Sequence, residues 1–477
     1  MKKHCFTLLF LCFCANTFAH DFSVNYSNGT ANKMIYYRIT STEAKTVAVS
    51  FRGDSMTHYS NEYTQYNIIP ATVNYGSGVN LITYQVTSVD AGAFLNNTTL
   101  DSVLLPNSIT FIDSMAFSGS SLKKIVLPSN INFIAAKAFD GCSSLREIAL
   151  PENITKISNY TFRNCRSLTS LTIPNTINSI GNYAFFNCIS LKSVNLSGAI
   201  GDYAFNNCIA LDTINLSSSV TKVGSFAFLG CFGLTAFNVD SGNPILMSED
   251  GILYSYLQDT LLLYPPKKIG SEFTIPSSVK HVGDYSFSYN LFLKKINFSS
   301  SITKIGTAAF YNSTGLSVVN MLDSVNYIDE GAFYDCRNLD TIKISVETPP
   351  VFEEFTFYNV PNSVYILVPC EIVQNYENSE WGDYFTNIKG IGCVSSGISN
   401  VMALEDVEIF PNPVQNDLFI NINENIERVE VYSLTGFLMI SESNVSDKIS
   451  MENLSKGVYF VKIFTKKSSI TKKIIKN

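Results

Sequence analysis

The 477-residue sequence predicts a mainly β chain: a stacked solenoid of coils about 23 residues long, followed by a small β-sandwich. Three observations carry this. Phenylalanines recur at 94, 117, 139, 162, 185, 205, 228, 287, 310 and 333, mostly in Ala-Phe or Thr-Phe. Most steps are 23 residues; one is 22, one 20 and one 59. The steps carry a Leu-x-x-Ile-x-Leu-like stretch that in several copies ends in proline, as in Leu122, Ile125, Leu127 and Pro128. Finally, residues 404–477 alternate short strand-like runs with glycine turns, for which a sandwich is the natural solution.

Taken in order, residues 1–19 read as a signal peptide. Lys2 and Lys3 precede an apolar run from Phe6 to Cys14, and Thr17-Phe18-Ala19 places cleavage after Ala19. The run is too short to span a bilayer, and no later segment reaches the length of a membrane helix. Leu11 and Phe13 sit where lipidation of Cys12 or Cys14 would want a small residue. Residues 20–80, with an Asn28-Gly29 turn, read as the cap that a solenoid end requires.

Residues 81–345 read as coils. In each, the last two apolar residues of the Leu-x-x-Ile-x-Leu stretch lie two apart, on one side of a strand. Proline lacks the N–H that would continue the ladder. One coil cannot bury these residues alone, whereas stacked coils bury them together. Near residue 200 the arc is three residues shorter, and the stack is expected to continue through a tighter loop. Residues 240–270 read as an irregular coil with a hairpin turning at Asp250-Gly251. Residues 346–393 read as the C-terminal cap, with Trp381 in its core, and 394–403 as a linker to the last domain at 404–477.

Cys142, Cys165, Cys188, Cys208, Cys231 and Cys336 share one repeat position, held by Asn97, Ser120, Asn290 and Ser313 in other copies. This is a ladder of small, packed, free thiols rather than a metal site: no Cys-x-x-Cys pair and no nearby histidine accompany it. Cys370 and Cys393 lie outside the ladder; a disulfide and two buried thiols are the two readings.

The repeat resembles the BspA-like leucine-rich repeat family, whose LPxxIxxIxxxAFxxCxxLxxIxL pattern runs from Leu127-Pro128 through Leu150 and again in later copies. The segments DGILY at 250–254 and Tyr264-Pro265 also resemble that family. The resemblance implies a bacterial or protist surface protein, with host attachment or coaggregation among the family's activities. The C-terminal region resembles the type A sorting domain of the type IX secretion system of Bacteroidota. Pro411, Asn412 and Pro413 open it, Gly436 turns it, and Gly457, Tyr459, Lys472 and Lys473 match its end. That resemblance implies passage through the type IX machinery to the outer membrane exterior. It also implies anchoring on surface lipopolysaccharide, or release, after the sorting domain is removed.

No catalytic constellation is expected, and no metal or cofactor. His58 and His281 fall in different regions, and Glu249, Asp250 and Asp259 lack a calcium-loop spacing. A net charge of −7 without a basic stripe excludes nucleic acid as a partner. What remains is the strand face that points away from the core. Its candidate binding residues are Lys123, Arg146, Thr169, Thr172, Lys192, Asn195, Thr213, Asn215, Lys295 and Asn297. The expected function is an exported, adhesin-like surface protein that binds an extracellular protein or glycan. A polysaccharide-binding accessory and a structural surface protein making homotypic contacts are the alternatives.

Overall fold

A computed structural model describes residues 20–27, 32–52, 63–321, 324–393, 407–422, 425–443, 445, 447–466 and 469–477. The expected signal peptide, the Asn28-Gly29 turn, His58 and the expected linker lie outside these residues. The chain divides into two compact units, with the boundary between Gly392 and Cys393.

One regular coil shows how the repeat folds. Its front strand, Glu147–Ala149, pairs in parallel with Ser170–Thr172 of the next coil, which places Ile148 beside Leu171. Ile148 faces inward at 4% exposure, while its neighbours Glu147 and Ala149 are exposed. Pro151 ends this side. A second short strand, Lys156–Ile157, then pairs in parallel with Ser179–Ile180. The third side is a corner, Tyr160 to Asn164, that uses two left-handed residues, both at φ 60°. Asparagine and glycine recur at the second of these positions because they tolerate that region. The corner is held along the stack by three N–H groups at alternate residues. Tyr160, Phe162 and Asn164 donate to the carbonyls of Asn182, Ala184 and Phe186 at 3.0, 2.8 and 2.8 Å.

Inside the corner the phenylalanines form a stacked column. Phe117, Phe139, Phe162 and Phe185 follow one another at 5.2, 5.4 and 5.3 Å between ring centres, with planes within 9° of parallel. All four are fully buried. The thiols lie beside this column, and each donates back one coil: Cys165 to the Phe139 carbonyl at 3.2 Å, Cys188 to that of Phe162 at 3.2 Å. Two of the replacements keep the same bond: Ser313 donates to the Phe287 carbonyl at 2.6 Å and Asn97 to that of Tyr63 at 2.5 Å. The position therefore selects a small donor as well as a small volume.

The parallel ladders extend upstream of Leu81. Gln65–Ile68 pairs in parallel with Leu100–Leu104, and Tyr63 stands at the head of the corner column, 4.6 Å from Phe94. Its sequence carries no Ala-Phe, so the repeat pattern does not show it. The N-terminal strands Phe22–Ser27, Asn32–Ser41 and Thr46–Ser50 pair antiparallel, and the last joins Ile82–Val89 in parallel. At the short step, Ala199–Ile200 pairs in parallel with strands on both sides, so the stack continues as the sequence implies. Gly198 makes this possible. Its φ is +68°, and a Cβ there would stand 2.1 Å from the Asn178 carbonyl oxygen.

Residues 246–263 form an antiparallel three-stranded insert: Leu246–Glu249, Ile252–Ser255 and Thr260–Leu263. Its last strand pairs in parallel with His281–Val282, which starts a second run of regular coils. The buried core divides here, one cluster ending at Leu246 and Leu253 and the other beginning with Ile252 and Tyr254. The front ladder ends with Tyr365–Pro369 and Asn387–Ile391. Between them, helices Val373–Glu377 and Glu380–Tyr384 close the core. Trp381 is 1% exposed, donates its indole N–H to the Pro350 carbonyl at 2.8 Å, and packs 5.4 Å from Phe357. The expected role as cap core is what the structure shows. Cys370 and Cys393 are each disulfide-bonded, while the six ladder cysteines are free.

The second unit is a sandwich of a three-stranded and a four-stranded antiparallel sheet around Leu418, Val429, Val431, Val461, Ile463 and Ile474. Leu438–Ser443 and Lys448–Ser450 are strands that the sequence reading did not separate. They are short and largely exposed, so their apolar alternation is weak.

Candidate functional site

The front strands expose two side chains per coil, at their first and third positions, and parallel pairing lines these up as rows. Between them the buried second residue ties the strand to the core. The predicted residues fall into three rows rather than one. Lys123, Arg146, Thr169 and Lys192 stand just ahead of the strands; the Arg146 N–H donates to the Lys123 carbonyl at 3.3 Å and the Thr169 N–H to that of Arg146 at 2.9 Å. Thr213 and Lys295 lie in the first strand row, beside Ser193 and Glu272 respectively. Thr172, Asn195, Asn215 and Asn297 lie in the third-position row, with Ala149, Asn238, Thr274 and Asn320 as neighbours. All ten are exposed or half-exposed.

The third-position row contains two side-chain amide ladders. Asn215 donates to Asn195 at 2.7 Å, and Asn238 donates to Asn215 at 2.8 Å. After the insert, Asn297 donates to Thr274 at 3.0 Å and Asn320 to Asn297 at 2.6 Å. Each amide is held by its neighbours, yet a side-chain amide has more bonding capacity than one donor and one acceptor contact use. The rows thus offer pre-oriented hydrogen-bonding groups at one-coil spacing.

Charge is distributed unevenly along this face. Lys124 meets Glu147 at 3.3 Å, Lys123 meets Asp101 at 2.8 Å, and Lys295 meets Glu272 at 2.9 Å. The amide bond from Asn297 and the Lys295 ammonium hold the Glu272 carboxyl below its ordinary value. Within the two strand rows Ser193, Asn195, Thr213, Asn215 and Asn238 form an uncharged middle, with Lys192 and Asp212 in the row ahead of them. Sequence reasoning missed Asn238, Asn320 and Lys343, although they continue the same register from Asn215 and Asn297. It also missed Tyr365, whose ring is covered by the Lys389 ammonium at 4.5 Å.

The ladder thiols are placed for packing. Burial pushes the Cys142 thiol up to about 12 and raises those of Cys165, Cys188, Cys208, Cys231 and Cys336 as well. Such thiols are poor nucleophiles and poor metal ligands. His281 lies exposed on a second-row strand. Among the described residues, no group of three or more His, Cys, Asp or Glu stands ready to hold a metal ion.

In the sandwich, Asn412 ties the entry to the final strand. Its amide donates to the Lys473 carbonyl at 3.1 Å, and its oxygen accepts from the Ile475 N–H at 2.9 Å. The neighbouring bonds Phe410–Pro411 and Asn412–Pro413 are cis. Gly436 makes its turn at φ +86°, and Gly457 opens the strand that pairs with the chain end. Tyr459 is buried and donates to the Ser455 carbonyl at 2.9 Å. Lys472 and Lys473 pair with Val461 and Phe460 on that strand.

The model of the BspA type leucine-rich repeat region matches this chain in six copies, over residues 77–192, 155–249 and 267–379. The chain belongs to the BspA-type leucine-rich repeat family. A secretion system C-terminal sorting domain matches residues 408–477, which identifies the sandwich of this BspA-type protein as its type IX secretion signal. Among solved structures, a leucine-rich cell surface protein from Faecalibacterium prausnitzii A2-165 is 25% identical with a TM-score of 0.58, covering 79% of this chain and 97% of its own. The pneumococcal vaccine antigen PcpA is 20% identical with a TM-score of 0.46, covering 78% and 100%. A leucine-rich repeat protein from Bacteroides ovatus ATCC 8483 is 18% identical with a TM-score of 0.40, covering 76% and 100%. No curated protein matches the chain. Repeat region and sorting domain together make this BspA-type chain a secreted, surface-located protein.

Proposed function

We propose that the front face of the BspA-type stack binds an extracellular protein or glycan in the manner of an adhesin. The observation that carries this reading is the pair of amide ladders, Asn195–Asn215–Asn238 and Asn297–Asn320. They present oriented donors and acceptors on the exposed side of a rigid scaffold. A single neutral hydrogen bond contributes only about 0.5–1.5 kcal/mol, so useful affinity requires many coils at once. We further infer that the sorting domain is removed on export and the remainder is anchored on surface lipopolysaccharide.

Residues 20–395 tested against arrays of matrix proteins and polysaccharides should bind one class saturably. A version lacking the coils from Leu191 to Thr235 should not. Loss of all binding on a single Ser or Thr change, or self-association with no ligand bound, would reject this reading.

A further inference from the structure

Every corner from Phe94 to Phe205, and from Phe287 to Phe333, directs three N–H groups along the stack, and the next coil meets each with a carbonyl. At Phe205 the donors are Tyr203, Phe205 and Asn207, and the acceptors are Ser225, Ala227 and Leu229, at 2.9, 2.8 and 2.8 Å. One coil later the pattern stops. The N–H groups of Phe226, Phe228 and Gly230 meet no acceptor among the described residues. The run stops again at Phe357, but there Trp381 and Phe385 of the cap cover the final ring.

The insert explains the break. Tyr264 is the corner residue of its coil: its N–H donates to the Ser286 carbonyl at 2.7 Å and its ring stacks 5.0 Å from Phe287. It follows Phe228 by 36 residues where 23 is usual. The extra chain is spent on the antiparallel strands, and Leu262 and Leu263 still belong to the last of them. No carbonyl is brought opposite the Phe228 corner. A cavity of about 490 Å³ opens instead, walled by Phe226, Phe228, Leu246, Leu253, Leu262 and Tyr264. Phe226 and Tyr285 meet edge to face beside it, 5.0 Å apart.

We propose that this cavity binds a short peptide of a partner protein in the turned conformation of a regular corner. Its alternate carbonyls would accept from Phe226, Phe228 and Gly230, and its apolar side chains would pack against Leu246, Leu253 and Leu262. In all the regular corners these three donors are met by polypeptide at alternate residues, so the site has the hydrogen-bonding spacing of a missing coil. A buried donor without a partner is costly, as at Phe228, and an acyl chain would fill the apolar walls yet leave all three unmet. The volume lies within the usual range for ligand sites of about 300–1,000 Å³. The site is separate from the front face and stands or falls independently of it.

The test uses residues 20–477 and a blocked, fluorescently labelled peptide, IGNYAFFN, copied from residues 180–187. Its carbonyls at Asn182, Ala184 and Phe186 meet the corresponding donors in the intact stack. Saturable binding is expected, with amide exchange at residues 226–230 slowed about tenfold or more. Leu262→Trp, which fills the cavity, should abolish both effects, and so should Ser225→Trp at its exposed rim, the second variant should the first melt lower. Asn215→Ala on the front face should change neither. The proposal is overturned if the free protein already protects residues 226–230 as well as 203–207. It is equally overturned if the peptide does not bind, if only decanoate does, or if both tryptophan variants bind the peptide unchanged.

Discussion

The corner and the front face are built by the same repeat at the same spacing, yet they behave oppositely. In the corner, rings stack, thiols donate to the previous coil, and nearly every N–H is met. On the front face, only the alternate buried residue is constrained, and its exposed neighbours change from Lys and Glu to Ser, Thr and Asn along the stack. A solenoid can therefore hold its scaffold constant while varying what it presents. The reason is that burial makes each missing contact costly, whereas water replaces a missing surface contact at little cost.

The comparison breaks most sharply at the middle of the aromatic column. Phe162→Ala removes a fully buried ring stacked between Phe139 and Phe185 and should cost about 3–5 kcal/mol, read from urea unfolding of the repeat unit. A loss below about 1 kcal/mol would mean that the corner is not the scaffold.

The thiols sharpen it next. They should resist iodoacetamide in the folded protein and react after denaturation. Because burial raises the folded thiols above their ordinary value of 9.0, with Cys142 at about 12, the unfolded chain ionises first as pH rises. The thiol contribution to stability should be fully present below pH 9 and be lost as pH rises from 9.0 toward about 12. Replacing Cys142, Cys165 and Cys188 with serine should flatten that decline; an unchanged slope would assign it to other groups.

A single rung distinguishes donor from volume. Cys188→Ala leaves the Phe162 carbonyl without its thiol donor and should cost about 1–2 kcal/mol. Cys188→Ser keeps a donor, as Ser313 does, and should cost less in the same urea titration. Equal losses would reduce the ladder to packing alone.

The smallest effect belongs to the front face. Asn215→Ala interrupts the Asn195–Asn238 ladder but should change stability by no more than about 0.5 kcal/mol. Its effect on ligand affinity should stay below about tenfold, the worth of one neutral hydrogen bond. A larger loss of affinity at constant stability would mark Asn215 as a dominant contact.

Much of this architecture was legible in the sequence because burial is periodic. The Phe column, the Leu-x-x-Ile-x-Leu strands and the shortened coil near Gly198 all leave apolar or glycine marks at fixed spacing. The start of the stack was less legible, since Tyr63 fills a corner without the Ala-Phe pattern. The candidate face was read as one surface and is three rows, because strand register decides which exposed residue stands beside which.

By itself, the sequence determined a BspA-type repeat stack joined to a sorting domain, because each coil must bury the same residues and Pro411-Asn412-Pro413 and the closing lysines mark the end. Only the tertiary structure decided that the ladder thiols are inter-coil donors, that Asn195, Asn215 and Asn238 bond in series, and that the corner at Phe228 faces a cavity. These depend on which backbone groups the next coil brings opposite, and a 36-residue step states that a coil is longer without stating what it leaves unmet.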